Sequence, residues 1–379
     1  MKLLFTRFPL ESALGGAEIQ TISLMKGLAA RGHAVAFLGS CPTLLKLCRN
    51  EGIPTVEASI GPPPVSRLTA LRFLVRQGRM RWKLEKLLDS FSDLDAICML
   101  SLSEKILLTP RAREQKINIF WIEHDHVGPW LTQSPWLSRL RELSKFVSTV
   151  TVSEMSRRLY LALGWNPERT VAIPNGIDVG RFAGAGSSAT KRDGTFHIGC
   201  VARLTPEKGV DLLIDAVSQM PDAALTIIGR GREVGLLHSM VDGISQHEHV
   251  DPPRIRIVPH VDDLFAFYRS LDVFVLPSRE NDPFGLVAAE AMSAGVATVV
   301  TGQCGIAGSL RDGTDALIVS AGSSDALREA LVRLRDSAFR TQLSEEGRKT
   351  AEQEFSLEKM TDRYETLFQE ASRSPALPD

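Results

Sequence analysis

Two carboxylates eight residues apart, Asp282 and Glu290, lie in the stretch LDVFVLPSRENDPFGLVAAEAMSAG at 271–295. Ahead of them, Asp272 to Leu276 is a short apolar, β-branched run that stops at Pro277, the pattern of a buried strand. A polar loop follows at 278–281. Asp282 before Pro283 predicts a helix N-cap with proline at the first helical position; Leu286 to Met292 continues as helix and Gly295 stops it. A strand's carboxyl end thus feeds a helix amino terminus, with Gly285 giving close access. Free backbone N–H groups and the positive end of the helix dipole meet there and favour a bound phosphate. Were the whole span helical, the carboxylates would stand about 12 Å apart along the axis. That is too far to share a metal or a proton. It suits gripping two hydroxyl-bearing groups on either side of a diphosphate, the shape of a nucleotide sugar. The same residues also fit a plain cap and a helix-surface Glu.

Other chemistry-bearing residues fall at comparable places. Phe196 to Ala202 reads as a strand, RLTPEKG at 203–209 as its loop, and 210–220 as the helix beyond. Arg203 and Lys208 then sit at the phosphate edge of a sheet, where charge-assisted hydrogen bonds are each worth about 1.5–3 kcal/mol. Either residue alone also reads as a surface cation beside a turn. Two more strands, Ala224 to Ile228 and Ile255 to Val258, run into Gly229-Arg230-Gly231 and Pro259-His260-Val261. Near the amino terminus, strand 2–5, a loop at 6–16 ending in Gly15-Gly16, helix 17–30 and strand 34–38 form a βαβ unit. Strand 117–122 ends in Glu123-His124-Asp125-His126. That cluster looks metal-like, but no third group completes a site, so no metal is expected.

In this order the motifs resemble the retaining glycosyltransferases of family 4, the "glycosyl transferases group 1" class. DPFGLVAAE follows that family's pattern of an acid, seven residues and Glu around Phe-Gly-Leu, with Asp282 where Glu is usual and Glu280 out of register by two. PNGID at 174–178 followed by Phe182 is similar to the family's passage between domains, and Ala307-Gly308 stands where Pro-Glu is usual. The resemblance implies an α/β fold of two Rossmann-like domains facing a central cleft (GT-B). It places a first domain over 1–172, joined by a returning helix at about 356–372, and a nucleotide-sugar-binding domain over 173–355. It implies metal-independent transfer of a sugar, with retained configuration, from a nucleotide-diphosphate sugar to an acceptor hydroxyl, in cell-surface glycan or glycolipid synthesis. His124 and Asp282 become the catalytic candidates. Gly16, Arg203, Lys208, Gly229, Val258, Phe284, Gly285, Leu286 and Glu290 become the donor-binding ones, with Glu290 on the ribose and Asp282 on the sugar. No cofactor is expected. Alternatives are a non-catalytic nucleotide-sugar binder, or a sugar-nucleotide epimerase on the same architecture.

Composition fits a globular chain of two or three domains: of 379 residues, 44% are hydrophobic and 23% charged. The net charge of −1 hides an asymmetry, because residues 1–175 hold 23 Lys and Arg against 15 Asp and Glu. Much of that excess lies in 67–88, where seven cations face Glu85 alone and Leu68, Leu71, Leu74 and Val75 form an apolar stripe beside Trp82. Such a helix can lie on an anionic membrane, or simply be a solvated face. A saccharide or lipid-linked acceptor is the expected partner, and nucleic acid is not. Five scattered cysteines without metal spacing read as buried, reduced thiols. The start is unlike a signal peptide, being broken by Arg7 and Pro9, and no run reaches the roughly 20 apolar residues of a membrane span. A cytoplasmic protein, peripheral to the membrane's inner face if it meets one, is the resulting expectation.

Overall fold

The computed structural model describes residues 1–9, 15–182, 194–248 and 254–373. Residues 183–194, AGAGSSATKRDG, whose Gly, Ser and Ala content reads as a flexible linker, lie outside them except for Gly194, as does the middle of the 6–16 loop. The chain divides into two compact units. One holds residues 1–175 and the helix Leu357–Arg373; the other holds 176–356.

Unit 1 is a seven-stranded sheet in the order β3-β2-β1-β4-β5-β6-β7, and every pair is parallel. Its strands are β1 (Lys2–Arg7), β2 (Ala34–Gly39), β3 (Thr55–Glu57), β4 (Ala96–Met99), β5 (Asn118–Glu123), β6 (Ser148–Thr151) and β7 (Thr170–Ala172). Both faces are covered, so the strands read as continuous apolar runs rather than alternating ones. Leu3, Phe5, Phe120 and Ile122 point to one core, shared with Met25, Leu28, Tyr364 and Phe368. Leu4, Ile97, Met99 and Trp121 point to the other, shared with Phe73, Met80, Leu84 and Leu107.

Unit 2 is a six-stranded, all-parallel sheet in the order β10-β9-β8-β11-β12-β13. It comprises β8 (Phe196–Val201), β9 (Ala223–Ile228), β10 (Ile255–Val258), β11 (Val273–Leu276), β12 (Ala297–Thr301) and β13 (Leu317–Val319). Both sheets are Rossmann-like: the strand order reverses between β1 and β4 in one and between β8 and β11 in the other. Loops leaving the carboxyl ends of those neighbouring strands diverge to opposite faces and leave a crevice, where such sheets bind ligands. All five cysteines are buried free thiols. Among the described residues no helix is long and apolar enough to cross a membrane.

The helix Leu357–Arg373 is the last element of unit 1, packing on the helix Gly16–Ala30 and on β5. Its Phe368 is fully buried, with its ring 4.6 Å from that of Phe120 and edge-on to it. Phe368→Ala should therefore cost about 3–5 kcal/mol. All five tryptophans (82, 121, 130, 136 and 165) belong to unit 1. Denaturant unfolding followed by tryptophan fluorescence should shift to lower concentration, and an unmoved transition would show that the helix adds nothing to unit 1.

Candidate functional site

The crevice of unit 2 is built from two loops, 202–209 after β8 and 277–285 after β11. Gly209 ends the first with φ of 62°, and a Cβ there would stand 2.3 Å from the carbonyl oxygen of Pro277, so only glycine allows this approach. The backbone N–H groups of Arg279 and Glu280 both donate to the Glu207 carbonyl, at 2.9 and 3.1 Å. The Arg279 guanidinium adds a 2.6 Å ion pair to Asp211 and a bond to the Pro206 carbonyl. Thus joined, the loops set Lys208 against Asp282: Nζ lies 2.6 Å from Oδ2, with the two side chains 13% and 11% exposed. Ser278 Oγ donates to the same oxygen at 3.3 Å.

Asp282 is not the helix cap that its position before Pro283 predicts. Residues 282–284 pair instead with the glycine-rich turn after β12. Asp282 N–H donates to the Gln303 carbonyl at 2.8 Å, Gly305 N–H donates to the Asp282 carbonyl at 2.8 Å, and Ile306 N–H donates to that of Phe284 at 2.7 Å. This pairing holds the backbone extended, so the helix Leu286–Ser293 starts three residues later than expected, behind Gly285 at φ 103°. Its opening amides at Gly285, Leu286 and Val287 have no acceptor among the described residues, as the start of any helix requires. Phe284 serves by its backbone only. Its ring is buried edge-on against Phe355, centroids 5.6 Å apart.

Glu290, one turn into that helix, accepts a 2.8 Å hydrogen bond from Tyr268, which is fully buried. Burial pushes its carboxyl up, while Tyr268 and the charge of Arg181 pull it down. Gly229 N–H donates to the Val258 carbonyl at 2.9 Å, which closes the β9 and β10 ends of the same edge. Arg203 differs from Lys208: it is exposed and makes no hydrogen bond or ion pair among the described residues, though its charge acts on Glu207. The structure therefore brings Lys208 and Asp282 together and leaves Arg203 extended to solvent.

Unit 1 carries a second polar cluster at its own strand-order reversal. Arg7, the last residue of β1, pairs with Glu18 at 2.6 Å, and Lys105 pairs with Glu123 at 2.8 Å; all four side chains are buried. Tyr160 Oη also donates to Glu123, at 2.9 Å. Glu123 is thereby occupied, and among the described residues no group of three or more potential ligands could hold a metal. Glu104 closes a capping box onto Ser101 N–H at 2.6 Å; burial pushes its carboxyl up to about 7 against the pull of those contacts, Lys105 and Arg7. His124 follows β5. Part of its surface reaches solvent, yet Nδ1 is sealed, with no hydrogen-bond partner among the described residues. Burial first, then the charges of Arg7 and Lys105, push the imidazole down to about 3. It is a neutral hydrogen-bonding group at pH 7. Gly16 is the exposed first residue of the helix Gly16–Ala30, at the edge where Arg7 ends.

Arg7, Lys105, Tyr160 and Tyr268 were not singled out from sequence. The one signal was charge: Arg7 ends an apolar strand, and Glu104-Lys105 stands directly before the apolar run Ile106 to Leu108. The basic helix Arg67–Asp89 buries Ala70, Phe73, Met80, Leu84 and Leu88. The other apolar stripe faces out, with Leu71 62%, Val75 82% and Trp82 58% exposed.

Residues 14–181 match the family described as Glycosyltransferase Family 4, and 195–337 match Glycosyl transferases group 1. The phosphatidyl-myo-inositol mannosyltransferase of Mycobacterium leprae is 29% identical over 335 residues, 84% of this chain and 83% of that one. A GDP-mannose-dependent monoacylated alpha-(1-6)-phosphatidylinositol monomannoside mannosyltransferase of Corynebacterium glutamicum is 30% identical over 66% of this chain and 69% of its own. The crystal structure of Anabaena HepE in complex with UDP superposes with a TM-score of 0.80 at 19% identity, covering 98% of this chain and all of that one.

The depressed basicity of His124 has a measurable consequence. Between about pH 3 and the ordinary histidine value near 6.5, the unfolded chain binds a proton that the folded one does not, so acidification destabilises unit 1. His124→Asn removes that penalty. From pH 6.5 to 5 the stability difference should move in the variant's favour by on the order of 2 kcal/mol, read by denaturant unfolding. Glu104 titrates the opposite way in both proteins and cancels in the difference. A gap independent of pH would contradict a neutral His124 of depressed basicity.

Proposed function

Because the chain belongs to the family-4, group 1 glycosyltransferases and is itself a glycosyltransferase, we propose that unit 2 holds the diphosphate of a nucleotide-sugar donor between Lys208 and the amides of Gly285 to Val287. The observation carrying this reading is the Lys208–Asp282 pair at the β8/β11 reversal, beside a helix start whose N–H groups have no acceptor among the described residues. An ammonium and a set of fixed dipoles stabilise the charge that builds on a departing diphosphate. In other transferases a divalent cation does this, so no metal is needed here. Glu290 binds ribose hydroxyls, and Gly229 and Val258 wall the nucleoside. Arg203, extended to solvent, adds its charge when the diphosphate arrives. Asp282, shorter than the family's usual Glu, contacts the sugar while tethering Lys208. His124 in unit 1 offers a neutral imidazole to a sugar hydroxyl, for orientation and not as nucleophile. Retention of configuration follows from the family resemblance, and Asp282, committed to Lys208, is poorly disposed to attack carbon.

A lipid-borne acceptor is supported by the named activities of the two mannosyltransferase relatives and by the exposed face of the helix Arg67–Asp89. There Leu68, Leu71, Leu74, Val75 and Trp82 stand out beside exposed Arg72, Arg76, Arg79 and Lys86. Apolar side chains ringed by cations suit the boundary of an anionic bilayer. The protein then works peripherally, at a cytoplasmic membrane face.

Two experiments test the reading. In a transfer or donor-hydrolysis assay, Lys208→Ala should lower kcat/KM about 10- to 100-fold, the loss of one charge-assisted bond, while EDTA leaves the wild-type rate unchanged. Nucleotide binding without turnover, whatever the acceptor, would instead point to a binding protein. In co-sedimentation with phosphatidylglycerol vesicles, the wild type should bind at low salt and release as ionic strength rises, and Leu71→Glu with Val75→Glu should not bind. Equal binding to neutral vesicles, or none at all, would remove the membrane contact.

A further inference from the structure

Glu290, one turn into the helix that starts at the unit 2 crevice, has one of its oxygens already engaged. Oε2 accepts the Tyr268 hydrogen bond, and Oε1 has no hydrogen-bond partner among the described residues. Tyr268 comes from the short helix Leu264–Arg269, whose start is capped by the Asp263 side chain on Ala266 N–H. Its ring is wedged edge-on against Phe274 of β11, centroids 5.6 Å apart, and lies tilted beside Phe267. The hydroxyl is thus fixed from two sides, by a helix cap and by the central strand of the sheet. Burial and the neighbouring Glu290 carboxylate push the phenol well above its ordinary range, so it keeps its proton and donates.

A carboxylate on a helix normally samples several rotamers, and ordering a Glu side chain costs conformational entropy. Taking one oxygen with a buried donor leaves a single direction for the other. We propose that Tyr268 is a positioning residue that aims Glu290 Oε1 at the ribose hydroxyls, and so sets the enzyme's preference for ribonucleotide over deoxyribonucleotide donors. This rests on the reading of Glu290 as the ribose-binding acid. A site built to hydrogen-bond a hydroxyl discriminates strongly against the analogue lacking it, because its own buried polar group is left unpaired. That discrimination depends on the carboxylate being held where the hydroxyl arrives. An untethered carboxylate can turn to water when the hydroxyl is missing, and the penalty then fades.

The test is calorimetric titration of UDP, GDP and ADP, and of the 2′,3′-dideoxy counterpart of whichever binds best, to wild type, Tyr268→Phe, Glu290→Gln and the double variant. The wild type should favour the ribonucleotide at least tenfold, and Glu290→Gln should erase most of that ratio. Tyr268→Phe, which keeps the ring packing, should lower the ratio about fivefold or more while leaving dideoxynucleotide affinity within twofold. The double variant should be no worse than Glu290→Gln. A ratio lost in Glu290→Gln but kept in Tyr268→Phe overturns the positioning role alone. A ratio kept in Glu290→Gln overturns the ribose reading, and the positioning role with it. Equal loss of both affinities in Tyr268→Phe makes Tyr268 a packing residue and also overturns the proposal. Should Tyr268→Phe fold poorly, Tyr268→Met, which lacks the hydroxyl but fills much of the space, gives the same comparison.

Discussion

A single ion pair joins the two loops at the second unit's strand-order reversal: Lys208 Nζ on Asp282 Oδ2, nearly closed off from water. A cation with a low-exposure carboxylate beside it is held in place without a ligand, and neither charge is left alone. The loops that present the two residues come from adjacent strands that diverge at the sheet's order reversal, and a glycine with positive φ lets them touch. Around this pair, Arg279 crosses from one loop to the other, and the turn after β12 grips the backbone of Asp282. An arriving diphosphate would therefore meet a lysine already ordered and helix amides already pointed. The rearrangement it demands is small: the ammonium shares itself between a carboxylate and a phosphate.

Unit 1 solves a related problem by a different balance. Four buried charges at its strand ends pair off as Arg7–Glu18 and Lys105–Glu123, and the cations of both pairs bear on His124. Buried pairs of this kind are weak sources of stability but strong determinants of where charge cannot go. Burial first, and then these two cations, keep a proton off the imidazole, which leaves it able to accept and donate single hydrogen bonds at neutral pH. The outward face of the helix Arg67–Asp89 stays exposed among the described residues, Leu71 and Val75 most of all.

Much of this was legible in the residues. Parallel strands buried on both faces announce themselves as short apolar runs, which placed Lys208, Asp282 and His124 beyond strand carboxyl ends and Glu290 in the helix that follows, as the structure has them. What the sequence hid were partnerships across distance. Lys208 and Asp282 are 74 residues apart, and Asp282 before Pro283 looked locally like a cap because nothing local revealed the pairing with 303–306. Tyr268 precedes an apolar strand and reads as core, which its ring is; only its hydroxyl, 22 residues from Glu290, does something else. The helix Arg67–Asp89 carries two apolar stripes. The one spanning its full length, from Ala70 to Leu88, goes inward, while the one that runs from Leu68 to Val75, with Trp82 beyond it, stays outside.

The most direct measurement is a crystal structure with UDP or GDP bound. The diphosphate should lie within about 2.7–3.2 Å of Lys208 Nζ and of amides between Gly285 and Val287, with the Asp282 carboxylate still beside the ammonium. A nucleotide bound elsewhere, with Lys208 still closed on Asp282 and those amides facing only water, would contradict the account.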